Sequence, residues 1–134
     1  MALKYRKSFR IDCRGLAYKG FDLNQGDFVL KAIESGILNA NEIEAARKAI
    51  RRKMSRIAGK MWVCVHASTP VSRKSKEERM GSGKGNVEYY AAKAKAGRIL
   101  FEIAGVSKDI AIKSLQAGKA KLSCKTAIFE RQFD

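Results

Sequence analysis

The apolar and polar positions divide the chain into elements of two periods. From Gly26 to Ser35, Phe28, Leu30 and Ala32 alternate imperfectly with polar neighbours, and Gly26 and Gly36 bound the run, which predicts a strand. Past Asn39 the period lengthens. Ile43, Ala46, Ile50, Met54 and Ile57 recur at three- and four-residue spacing, the apolar stripe of a helix. Asn39 and Glu42 stand at the spacing of a capping box at its start. Met61 to His66 returns to alternation, with Met61, Val63 and Val65 on one face and Trp62, Cys64 and His66 on the other. Pro70 then opens a polar stretch, expected to form a long, mobile basic loop over about 71–86. Val87, Tyr89 and Ala91 alternate in a further strand. Gly97 makes a turn, and Ile99, Phe101 and Ile103 form a strand packed on the previous one. Ser107 is expected to cap a second helix with Ile110, Ala111, Ser114, Leu115, Gly118 and Leu122 on its apolar side. Gly118 weakens that helix by up to about 1 kcal/mol relative to alanine. Ala127, Phe129, Arg131 and Phe133 alternate in a last strand. Strands and helices in this order predict an α+β fold with a mostly antiparallel sheet and two helices.

Charge changes the picture from fold to function. The chain of 134 residues is one domain in size and carries 28 Lys and Arg against 13 Asp and Glu, a net charge of +15. Such a surplus repels itself unless an anionic partner neutralises it, and nucleic acid is the leading partner. No apolar run reaches the length of a transmembrane helix, so no membrane span is expected. Cys13, Cys64 and Cys124 are odd in number, far apart and without a CxxC, which disfavours a metal site or a disulfide scaffold. Residues 1–14 form a basic arm. Over residues 1–20, Lys4, Arg6, Lys7, Arg10, Arg14 and Lys19 face a single acid, Asp12, with Tyr5, Phe9 and Tyr18 interleaved. Such a segment orders on a polyanion and offers aromatics for base stacking. The single domain follows over 15–134, its first strand expected from about Gly15.

Arg79-Met80-Gly81-Ser82-Gly83-Lys84-Gly85-Asn86 is the densest candidate for binding chemistry. Glycines at alternate positions let bare backbone approach a partner, and Arg79 and Lys84 add charge there, a combination suited to phosphate. The two familiar nucleotide patterns fail by count: Glu78 stands where a Walker loop needs glycine, Gly85 where it needs Ser or Thr, and Asn86 where the dinucleotide pattern needs glycine. On the first helix, Arg47, Lys48, Arg51, Arg52 and Arg56 follow the last acid, Glu44, and are expected to face RNA. Lys60, Arg73 and Lys74 extend the basic set. Cys64 and His66 share a strand face, but the sequence supplies no acid or third ligand beside them, so no catalytic or metal site is expected.

These residues also resemble a known family. Arg79 to Tyr89 is similar to a signature of the bacterial-type large-subunit ribosomal protein sixteen. Ile43-Glu44-Ala45-Ala46-Arg47-Lys48-Ala49 resembles that family's first-helix motif, and Gly59-Lys60-Met61-Trp62-Val63 its following strand. Gly97 to Ile103 with Gly105-Val106, and Lys121-Leu122 before Lys125-Thr126, resemble later motifs in the same order. The chain departs from the family at Cys64, His66 and Ser123, and its arm is shorter than usual. The resemblance implies a two-layer fold of the hammerhead type and a structural, non-enzymatic role without cofactors. Its implied partners are large-subunit ribosomal RNA, tRNA and neighbouring ribosomal proteins, and its implied place is near the site of aminoacyl-tRNA accommodation. The loop Arg79, Met80, Gly81, Ser82, Gly83, Lys84 and Gly85 would approach the peptidyl transferase region. Arg6, Lys7, Arg10 and Arg14 would hold RNA together with the basic residues of the helix and strands. Lys-rich replacements tilt the expected compartment toward a mitochondrial ribosome over a bacterial one, with synthesis inside the organelle. Two alternatives stay open: a non-ribosomal RNA-binding or chaperone module, and a small phosphate-binding enzyme.

Overall fold

A computed structural model describes residues 5–20, 22, 25–54 and 59–132. Seven strands and two helices follow one another as β1 (Phe28–Ala32), β2 (Gly36–Asn39), α1 (Ala40–Lys53), β3 (Lys60–Val63), β4 (Thr69–Arg73), β5 (Asn86–Ala94), β6 (Ile99–Ala104), α2 (Lys108–Lys119) and β7 (Thr126–Glu130). They form two antiparallel sheets, β3-β6-β1-β7 and β2-β5-β4, in an α+β fold.

The helix start is set locally. Asn39 Oδ1 accepts from the Asn41 amide at 3.1 Å, and the Asn39 amide donates to Glu42 Oε2 at 3.4 Å, so the capping box forms. Ser123 Oγ donates to the same Glu42 oxygen at 3.0 Å. Ser123 thus ties the chain after α2 to the head of α1. Ile43, Ala46, Ile50 and Met54 are buried as the stripe requires, while Ile57 lies outside the described residues. The core gathers these with Leu30, Leu38, Leu100, Phe101, Ile103 and Leu115.

Several expectations are corrected. The strand expected between Gly26 and Ser35 is β1, confined to Phe28–Ala32, and a separate β2, not expected from the sequence, begins at Gly36 in the other sheet. At the start of β2, Gly36 lies against Cys124, whose Cβ would sit 2.8 Å from an added side-chain carbon. Gly97 does not close a hairpin. β6 pairs with β1 and β3, whereas β5 pairs with β2 and β4, so the chain crosses between sheets at Gly97. No named strand begins at Gly15. Leu16 makes an isolated bridge to Ala96, backed by the Ala17 amide on the Ala96 carbonyl at 2.9 Å.

In β7 it is Thr126 that is buried, and Ile128 packs on the core, while Phe129 is exposed, so the inward positions are the ones between those singled out in the sequence. Phe133 lies outside the described residues. The expected loop is also shorter, because residues 69–73 belong to β4 and the connection to β5 runs over 74–85. Pro70 misleads here. β4 is an edge strand, where a missing N–H costs no ladder bond, so Pro70 sits buried opposite Tyr90.

Candidate nucleic-acid interface

The arm and the glycine-rich connection meet. Lys7 Nζ donates to the Lys84 carbonyl at 3.0 Å, and Lys84 Nζ reaches back to the Ser8 carbonyl. Neither ammonium is neutralised in this way, since a carbonyl satisfies a donor but carries no net charge. Lys74 Nζ likewise donates to the Gly81 carbonyl across the connection. The result brings Lys7 and Lys84 together and ties Lys74 to the same connection, and Arg6, Arg10, Arg79 and Met80 are exposed.

The three glycines of the run divide into two kinds. Gly81 (φ +105°) and Gly83 (φ +91°) occupy the left-handed region with open space where a Cβ would stand, and Ser82 between them has φ 61°. Gly85 is different. A Cβ there would lie 2.7–2.8 Å from the backbone of Arg73 and Lys74. Its bare backbone is spent on β4 of its own chain, and only Gly81 and Gly83 leave open backbone for another molecule.

The face of α1 also differs from expectation. Arg47 and Lys48 are not without acidic partners: Glu44 takes the Arg47 guanidinium through Nε at 2.9 Å and Nη2 at 2.5 Å, and Lys48 Nζ stands at 4.0 Å. One turn of helix brings i, i+3 and i+4 together, and the contact with Arg47 lowers the Glu44 carboxyl's pKa. Arg51 Nη1 donates to the Gly59 carbonyl at 3.3 Å, which directs it toward the start of β3 and the exposed Lys60. Arg52 points into solvent, and Arg56 lies outside the described residues. Arg14 is paired with Asp12 at 3.0 Å, and Arg73 with Glu88 at 3.8 Å.

An acid does stand beside Cys64, contrary to expectation. Glu102 Oε1 is 3.8 Å from Cys64 Sγ, and Glu102 Oε2 accepts from the Gly26 amide at 2.7 Å. Burial first, then the Glu102 charge, pushes the Cys64 thiol up to about 11. That is the wrong direction for a nucleophile or metal ligand. His66 is exposed, and no group of three or more metal-ligating side chains occurs among the described residues.

A second basic cluster escaped the reading of the sequence. Lys19, Lys93, Lys95 and Arg98 line a hollow of about 170 Å³ with Tyr18, and the Lys19 and Lys95 ammonium groups stand 5.7 and 5.3 Å from the Tyr18 ring centre. Lys93 near the end of β5 and Lys95 just past it stand two residues apart, and that alternate spacing is the signal the sequence held.

The comparisons decide the family. Ribosomal protein L16p/L10e matches residues 2–129. The chain belongs to that family. Relatives named large ribosomal subunit protein uL16 are 54% identical in Allorhizobium ampelinum and 52% in Agrobacterium fabrum, each over 128 residues covering 96% of this chain and 93% of the relative. A relative of the same name in Rhizobium etli is 53% identical over the same span. These relatives are bacterial, so the tilt toward a mitochondrial ribosome, drawn from Lys-rich replacements, finds no support. No described helix is long and apolar enough to cross a membrane.

Proposed function

We propose that this chain is a structural, non-enzymatic constituent of the large ribosomal subunit that binds large-subunit ribosomal RNA. It does so near the site where aminoacyl-tRNA is accommodated, and it supports subunit assembly and tRNA positioning. Family membership supports the ribosomal part of this reading. The observation that carries the RNA part is the meeting of the arm with the 74–85 connection through Lys7 and Lys84. Two segments that are each too polar to pack alone become one cationic surface. Phosphates entering it release their counterions, which is the favourable term. The open backbone at Gly81 and Gly83 lies at the edge of that surface and is where tRNA would come close. Neighbouring ribosomal proteins would cover what RNA does not.

Sedimentation tests the reading. After a moderate salt wash of ribosomes, the chain should remain stoichiometric with the large subunit. Subunits lacking it should accept aminoacyl-tRNA slowly and recover when it is added back. A chain that washes off and spreads among other RNA particles would instead be a general RNA-binding module.

A further inference from the structure

Phe9 stands between two hollows. It is 95% exposed although the arm around it is held to the body through Lys84. On one side a groove of about 370 Å³ runs between Phe9, Ile37, Pro70, Val71 and Tyr89 on the outer face of the β2-β5-β4 sheet. On the other, a hollow of about 430 Å³ lies between Phe9, Tyr5 and Lys7. Ser8 and Lys84 border both. Among the described residues, Lys7, Arg10 and Lys84 are the charged groups of their walls, and no carboxylate lines either one. An occupant must therefore be flat and apolar in its body and anionic along its edge.

From this we infer that Phe9 is a stacking wedge for unpaired nucleobases of large-subunit ribosomal RNA. One base would enter the groove against Val71 and Tyr89, and the next would lie on the opposite face of the Phe9 ring. The phosphates of that strand would meet Lys7, Arg10 and Lys84. An apolar protein segment would fill the groove equally well but would leave these cations without counter-charges, which is why RNA is favoured. Tyr18, an exposed aromatic just beyond the arm, differs: Lys19 and Lys95 already lie against its ring. The inference rests on the RNA-binding reading above and adds to it which side chain touches bases.

The test uses the full chain and purified large-subunit ribosomal RNA, with affinity measured across a range of salt concentrations. Phe9→Ala should weaken binding roughly tenfold or more at every salt, since base stacking is worth about 1–3 kcal/mol per base. The dependence of log K on log salt should keep its slope, because no charge is removed. Phe9→Trp should bind as the unaltered chain does, and its added fluorescence should be quenched on binding. Phe9→Leu should fall with Phe9→Ala. Excess tRNA should not displace the quenched complex. Phe9 is almost wholly exposed, so melting should be unchanged in all three variants, which separates stacking from folding. Unchanged affinity in Phe9→Ala, full affinity in Phe9→Leu, or displacement by tRNA would overturn the inference while leaving RNA binding intact. Failure of the unaltered chain to bind the RNA would instead remove the broader reading.

Discussion

Lys7 and Lys84 are 77 positions apart in the chain, yet the Lys7 ammonium donates to the Lys84 carbonyl at 3.0 Å while the Lys84 ammonium reaches the carbonyl of Ser8. Two like charges are held together by backbone acceptors. Removing one side chain should release the arm. Lys84→Ala is expected to speed trypsin cleavage after Arg6, Lys7 and Arg10 several-fold and to leave thermal melting nearly unchanged, because exposed hydrogen bonds contribute little to global stability. Limited proteolysis beside calorimetry checks this. Equal cleavage rates would show that the arm is held by something else.

The glycine run should respond unequally. Gly81→Ala and Gly83→Ala impose a left-handed backbone on a residue with a Cβ, costing about 1–2 kcal/mol if the loop keeps its shape, and less if it relaxes. Gly85→Ala should cost more, since the added carbon meets Arg73 and Lys74 backbone that β4 holds in place. Chemical denaturation ranks the three. On reconstituted subunits, Gly81 and Gly83 variants should slow tRNA accommodation while the subunits remain fully occupied. The Gly85 variant should instead lower occupancy.

Gly118 offers the sharpest packing test. A Cβ there would lie 2.5 Å from Ile50 Cγ1, where α2 crosses α1. Helix propensity alone predicts that Gly118→Ala stabilises by up to about 1 kcal/mol. Overpacking predicts a loss of about 1–3 kcal/mol, and the full burial of Ile50 decides for the loss. Ile50→Ala makes room for the new methyl, so the double variant should lose clearly less than the two single changes together. A more stable Gly118→Ala protein would refute this packing.

On α1, charge pairing separates residues that look alike in sequence. Arg52→Gln should shallow the slope of log K against log salt for RNA by roughly 0.7–0.9, the share of one phosphate contact. Arg47→Gln should do less, since Glu44 already engages Arg47. Glu44→Gln frees Arg47 and Lys48 and should tighten binding several-fold at low salt. Unchanged binding by Glu44→Gln would mean that this face does not meet RNA.

Cys64 predicts a pH response. Its thiol titrates near 11 in the folded chain against about 9 in the unfolded one. The unfolded chain therefore loses its proton first as pH rises, so the stability from keeping Cys64 neutral is complete below about pH 9 and is lost between about 9 and 11. Denaturation curves of the unaltered chain and Cys64→Ala should converge over that window. A constant difference between them would exclude it. Triple replacement of Cys13, Cys64 and Cys124 by alanine should leave RNA binding and metal content unaltered, and a stoichiometric zinc in the native chain would contradict that.

The sequence by itself determined what depends on neighbours along the chain. The α1 stripe, its Asn39–Glu42 cap, the excess of positive charge and the ordered family motifs all repeat or pair within a few residues. Tertiary structure decided the rest, because strand pairing and close approach join residues that share no local pattern. β5 and β6 alternate in the same way yet enter different sheets, and Pro70 fits a strand only because that strand lies at an edge. Gly118 reads as a helix flaw until Ile50 is seen against it, and Gly85 reads like Gly81 until Arg73 is. Glu44 claims Arg47 by helix geometry that the sequence already held, whereas the meeting of Lys7 with Lys84 needed the fold. Long-range contacts close large loops at an entropic cost that only the whole core can offset, so no single segment announces them.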